Sequence, residues 1–203
     1  MLNNSKRDMA KNYLEIYFEK LATCGISRET CDKLIEFYGN SLAKASYATK
    51  SNTGLAYAGS LIETILTKLT VFAIRLNELY PEEIRVDKNS LVKVCLLQHI
   101  AKCQRLTPST DMWRVSKLGE VFTYTDGQPA IGTGLHSLVM ASAAGVVFTP
   151  IEAEAMTIID KKDDDIQAKY HSSLLSTIVK HANEMVYAQQ TELENLKKQP
   201  IDE

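Results

Sequence analysis

A chain of 203 residues with 45% hydrophobic and 24% charged side chains is long enough to bury a core without disulfide or metal staples, and its make-up excludes a disordered chain. Lys+Arg 23 against Asp+Glu 25 leaves a formal charge of −2, a poor footing for nucleic-acid binding driven by counterion release. The N-terminal residues carry no apolar run of the secretory kind. The longest uncharged stretch, 128–151, is broken by Pro129, Gly132, Gly134, Gly145 and Pro150, which argues against a membrane span.

Most of the chain has a helical period. Met9, Tyr13, Ile16, Tyr17 and Leu21 predict a first helix stopped by Gly25. Ser27 caps a second, with Glu29 in its first turn, Leu34, Ile35 and Tyr38 inward, and Gly39 as its end. Residues 40–54 are small and polar and read as a loop. A long third helix, about Tyr57 to Leu79, has Leu61, Ile62, Ile65, Leu66, Leu69 and Phe72 on its apolar face and Pro81 as its stop. Asp87 or Ser90 caps a fourth, Leu91 to Cys103, apolar nearly all round and therefore central.

Between Gln104 and Gln128 the β-friendly Trp113, Val115, Val121, Phe122 and Tyr124, with the turn pair Asp126-Gly127, predict a small β-hairpin or an irregular arm. Gly132-Thr133-Gly134 reads as a tight turn into a helix running from Gly134 to Val146, rather than as a phosphate-cradling loop. The small residues of that helix, Ser137 and Ala141 to Gly145, suit close helix packing inside a domain or between subunits. Thr149-Pro150-Ile151-Glu152 is a capping box with proline at the first helical position. Its helix ends near Asp160, before a charged block, 161–165, that reads as a solvated loop. A last helix from Ser172 or Ser173 turns Leu175, Ile178, Ala182, Met185 and Val186 inward, and its pattern thins after Gln189 into a tail that projects or meets a partner. Cys24, Cys31, Cys95 and Cys103 form no CxxC pair and read as reduced core thiols.

The expected architecture is all-α: a single helical domain with a small β-hairpin insertion. Residues 1–54 form an N-terminal helical extension packed on the core, 55–189 the main domain, and 190–203 a C-terminal helical tail.

Five segments, in order, resemble the motifs of the HD-domain phosphohydrolase superfamily, in particular a subgroup with a GHGEKS-type segment. Gly59-Ser60-Leu61-Ile62-Glu63-Thr64 is similar to GxLLEHT, and Leu96-Leu97-Gln98-His99-Ile100-Ala101-Lys102 to LLHDIGK. Tyr124 to Ser137 is similar to YxxDxxPxGHGEKS. Phe148 to Met156 is similar to LTxEEAxAI, and Lys180-His181-Ala182-Asn183 to HLAD. The resemblance spans roughly Leu55 to Ala188 and implies an HD-like helical scaffold.

Such an enzyme gathers imidazoles and carboxylates around one or two metal ions that activate water. Here Thr64 stands at the first ligand position, Gln98 and His99 at the His-Asp pair, and Asn183 at the distant aspartate. The subgroup's additional histidines fall on Thr133 and Ile159. The resemblance therefore implies a degenerate pocket of Thr64, Gln98, His99, Thr133, His136 and Asn183, with no catalytic residue, metal ligand or cofactor.

The reading that follows is a non-catalytic structural or interaction protein in the cytoplasm of the producing cell. It has protein partners, forms a homo-oligomer or larger assembly, and involves no sequence-specific nucleic acid and no membrane span. Small proteins of the resembled subgroup are commonly phage-borne, which implies a virion neck, connector or tail ring. The alternatives are a nucleotide- or small-ligand-binding regulatory pseudoenzyme, and an active phosphohydrolase with ligands rearranged onto His99, His136, Asp160 and His181. Taken singly, His99 reads as a core histidine bonded to a backbone carbonyl. His136, His171 and His181 read as partly exposed at helix ends and faces.

Overall fold

The structure, a computed structural model, describes residues 4–161 and 172–198. It is all-α with one small two-stranded antiparallel sheet. Helix α1 (Asn4–Thr23) ends before Gly25, whose φ of +81° lets the chain turn back. Ser27 Oγ accepts from Thr30 N and starts α2 (Arg28–Leu42). This helix runs through Gly39 instead of ending there, because Leu42 is buried and anchors a further turn. Its inward stripe is Cys31, Leu34 and Leu42; Ile35, expected inside, is exposed.

Of the expected polar loop 40–54, residues 40–42 belong to α2, and the stretch from α2 to the next α-helix, 43–59, turns part of its chain inward. Ser46, Tyr47 and Leu55 are buried, and Ser60 Oγ donates to Leu55 O (2.6 Å) while accepting from Tyr47 N (2.9 Å). One rod follows, made of α3 (Ser60–Thr64), a π-helical turn (Ile65–Leu69) and α4 (Thr70–Glu78). It buries Leu61, Ile62, Ile65, Leu66, Leu69 and Ala73, with Phe72 packed beside them.

Asp87 accepts from Ser90 N and opens α5 (Lys88–Leu97). This helix contacts α1, α4, α7, α8 and the last helix, so its place at the centre is as its all-round apolar sequence requires. It stops at Leu97 rather than at Cys103. Ile100 N, Lys102 N and Cys103 N bond three residues back, while Ala101 N donates to Ser137 Oγ (3.0 Å). That bond takes Ala101 N out of the helical ladder, and α6 (Lys102–Arg105) restarts beyond the break.

Strands β1 (Leu106–Pro108) and β2 (Phe122–Tyr124) pair antiparallel with Leu106 opposite Tyr124. The connection between them is the arm 109–121, which holds a second π-helical turn (Arg114–Leu118). Asp126-Gly127 is a turn, as expected, but it follows β2 rather than joining the strands. Then come α7 (Thr133–Ala143) and α8 (Pro150–Thr157), the latter opened by a complete Thr149–Glu152 capping box, and a 3-10 turn (Ile158–Asp160).

Helix α9 (Leu174–Lys198) buries Leu175, Ile178, Val179, Ala182, Val186 and Gln190. Met185, expected inside, is exposed: the buried stripe continues from Ala182 to Val186 and leaves Met185 at its edge. Past Gln189 the helix still rests on the body, for Lys68 Nζ donates to Gln190 Oε1. Gly54 crosses so close that a Cβ there would stand 2.1 Å from Gln190 Nε2. The four cysteines are free thiols. The charged block from Lys162 to Asp165, and His171, lie outside the described residues. No helix among the described residues is long and apolar enough to cross a membrane.

Candidate functional site

The break after α5 turns Gln98 and His99 towards α9, and the buried Tyr47 of the 43–59 segment reaches the same point. Asn183, on the inward face of α9, is the hub. Its amide nitrogen donates to Val179 O (2.9 Å) and Gln98 Oε1 (3.1 Å), and its Oδ1 accepts from Tyr47 Oη (3.2 Å). A backbone carbonyl only accepts, so the Val179 contact fixes which way the amide faces. His99 Nε2, 2.7 Å from Asn183 Oδ1, must then carry the ring proton, and His99 Nδ1 is the bare acceptor. Tyr47 packs edge-on to the His99 ring, with centroids 5.1 Å apart.

His99 is only 4% exposed, and Gln98 and Tyr47 are fully buried. Two atoms of the network have no partner: Gln98 Nε2 and His99 Nδ1. Burial, the nearby Lys102 cation and, in the opposite sense, the Asn183 bond leave His99 well below the ordinary imidazole value, so it stays neutral. Burial likewise holds Tyr47 protonated. The network is uncharged throughout.

It borders a cavity of about 420 Å³, lined by His99 and Asn183 together with Lys102, Thr133, Ile159 and Tyr187, among others. Lys102, first residue of α6, lies with its ammonium 4.0 Å above the Tyr47 ring and donates to Tyr47 O (2.7 Å). Burial lowers its pKa to about 7. Burial and the neighbouring Tyr124 push Tyr187 up to about 12.

At the wall, Asp160 closes the start of α7: Oδ1 accepts from Gly134 N (3.0 Å) and Oδ2 from Leu135 N (2.9 Å). The paired glycines allow this approach. A Cβ on Gly132 would meet Asp160 Cγ at 2.1 Å, and one on Gly134 would meet Met156 O at 2.1 Å. The turn thus cradles the protein's own carboxylate.

Of the six residues the sequence singles out, Gln98, His99 and Asn183 are bonded together and Thr133 lines the same cavity. Thr64 is buried in α3 away from the lining. His136 is half-buried on α7, also off the lining, its pKa lowered by burial and by Arg105. His99 bonds to a side-chain amide rather than to the backbone carbonyl expected. His181 is exposed on α9.

The rearranged ligand set does not assemble: among the described residues no three His, Cys, Asp or Glu side chains gather. The donor set does not suit a divalent cation. His99 offers one lone pair, both Asp160 oxygens are engaged by backbone N–H groups, and Lys102 is a competing cation.

Tyr47 carries no signal of this role in the sequence, because it sits in a stretch without periodicity, whereas Lys102 ends the segment that resembles LLHDIGK without being singled out there. No family model matches the chain, and neither a curated protein nor a solved structure matches it.

Proposed function

We propose that this chain is a non-catalytic interaction protein on an HD-like helical scaffold. The scaffold reading draws support from convergence. Residues 98 and 99, 133, 159 and 183, which the resemblance places at ligand positions, all meet at one cavity or in the network beside it.

The observation that carries the non-catalytic reading is the hydrogen-bond pattern of that network. Tyr47, Gln98, His99 and Asn183 bond to one another as neutral groups, and among the described residues no carboxylate joins them to hold a metal or activate water. The interaction reading draws on the arm 109–121, where Met112, Trp113 (61% exposed) and Leu118 stand out from the body. Large side chains of this kind are enriched in protein interfaces. A virion neck, connector or tail ring is the setting we favour, because such an assembly needs shape and contact surface alone.

Purified protein incubated with Mn²⁺ and a phosphomonoester is expected to release no phosphate. In negative-stain images it is expected to assemble, alone or with a partner, and Trp113→Ser to weaken that assembly. Turnover that disappears in His99→Ala would overturn the non-catalytic reading; a lone monomer under all assembly conditions would overturn the interaction reading. A second reading, a regulatory protein that binds a small ligand without turnover, is favoured by one feature: a cavity of about 420 Å³ lies beside the network, with Lys102, Thr133 and Asn183 in its wall.

A further inference from the structure

We propose that the outer face of α7 is a self-association surface, on which a second copy of this chain packs its own α7 antiparallel about a two-fold axis near Val139. This deepens the interaction reading by naming a second surface and its partner, and it is tested separately from the arm.

The sequence of α7 and its C-terminal turn holds two sets of small residues, and the fold sends them to different sides. Gly134, Ser137, Ala141 and Ala144 are buried against the body, where Ser137 Oγ accepts from Ala101 N (3.0 Å). Ser142 and Ala143 face outward together with Leu135 (40% exposed) and Val139 (54% exposed). These four stand at three- and four-residue steps, so they make one stripe along the helix. Its large apolar members serve no part of the core, as on a surface kept for contact.

Charge singles out a second copy as the occupant. In a two-fold contact a patch meets itself, so a charged side chain near the axis is brought against its own like. Thr133 to Ala143 contains no Asp, Glu, Lys or Arg, and the uncharged run continues to Ile151, with Val147 and Ile151 also exposed. His136, the one imidazole of the helix, is half-buried, and burial and Arg105 lower its pKa. At the start of the helix the Asp160 carboxylate is held by Gly134 N and Leu135 N. An acidic or basic partner finds no charged side chain on α7 to pair with, whereas a copy of the same helix meets no repulsion.

Shape points the same way. In an antiparallel pair centred on Val139, Leu135 of one copy stands opposite the Ser142–Ala143 pair of the other, and Val139 meets Val139. Large faces small on both sides of the axis, which lets two helices approach to about 8–10 Å. The antiparallel order also sets each helix start beside the other's end, so the two dipoles attract. A helix about 16 Å long makes a small contact, and association is expected at micromolar rather than nanomolar protein concentration.

The test is sedimentation velocity of the full chain over a concentration series, in which the parent is expected to pass from monomer to dimer. Val139→Glu sets two carboxylates against each other at the axis and is expected to weaken the dimer about tenfold or more. Trp113→Ser, which acts on the arm, is expected to leave the constant of this dimer unchanged. Val139→Cys, a conservative change, gives a second reading should the glutamate variant fail to fold. A residue on the axis meets its own copy, so mild oxidation is expected to join two chains of this variant, but neither the parent nor Met185→Cys, an exposed position on α9.

A parent that stays monomeric throughout the series, alone or bound only to a different protein, would overturn the self-association and leave the arm to its own test. A dimer lost in Trp113→Ser and unchanged in Val139→Glu would overturn it as well, while upholding the interaction reading. A dimer unaffected by either substitution, with no joined chains in Val139→Cys, would place the contact elsewhere and overturn the proposal.

Discussion

Removing the Tyr47 hydroxyl takes one donor from Asn183 Oδ1 and leaves the ring in place against His99 and Tyr187. Tyr47→Phe is therefore expected to cost about 1 kcal/mol in urea denaturation, the net worth of a buried hydrogen bond. Asn183→Leu removes the hub instead. It strands His99 Nε2–H, Gln98 Oε1 and the Tyr47 hydroxyl at buried positions, and the expected cost is about 2–4 kcal/mol. Equal costs for the two variants would contradict the hub assignment.

Lys102 makes a prediction in pH. Its folded value of about 7 lies below the ordinary 10.5, so between those values the unfolded chain binds the extra proton. Stability from this residue therefore rises as pH rises from about 7 towards 10.5, and the penalty is fully present below 7. The melting temperature of Lys102→Met relative to the parent should exceed it most near pH 7 and lose that advantage as pH approaches 10. A difference independent of pH would contradict the enclosed amine. At this scale Gln98, His99 and Asn183 are legible through the resemblance alone, which places them at neighbouring positions of one pocket. Tyr47 was not, because its burial depends on Ser60 and on the packing of α9, partners remote in sequence.

Between elements, the tie that sequence pattern could not reveal is Lys93 on α5 with Glu152 on α8, 2.7 Å apart and enclosed. The same carboxylate accepts from Thr149 N, so one side chain closes the capping box and docks the helix. Burial pushes the Glu152 pKa up, but the Lys93 ammonium and the Thr149 N–H outweigh it, and the value ends below the ordinary 4.5. Its stabilising contribution is present above pH 4.5 and disappears as pH falls through the lower folded value. Lys93→Met leaves the carboxylate buried without its partner and is expected to cost about 3–5 kcal/mol, measured by denaturant midpoint. Replacing both residues with apolar ones should cost less than that single change; a larger cost would contradict the account. The caps at Ser27, Asp87 and Thr149 were readable because a cap is a local bond between residues three apart. The end of α5 was not, because Ser137, on a different helix, withdraws Ala101 N from the ladder.

At the scale of the molecule, the all-α class follows from the 3.6-residue apolar period, and the central place of α5 from its lack of a wet face. Phe122 and Tyr124 make the second strand legible, and an irregular arm is one of the two forms the sequence allows there; the place of the turn is not legible, because Asp126-Gly127 is a sound turn signal that the chain uses after β2. What the assembled molecule does is concentrate polar groups from five chain segments around one cavity while leaving the network beside it uncharged.

The central claim is that this arrangement does not hold a catalytic metal. Elemental analysis of protein produced with added Mn²⁺ and purified without chelator tests it most directly. The account predicts far less than one bound ion per chain, unchanged in His99→Ala; one or more tightly held ions per chain, lost in that variant, would contradict it.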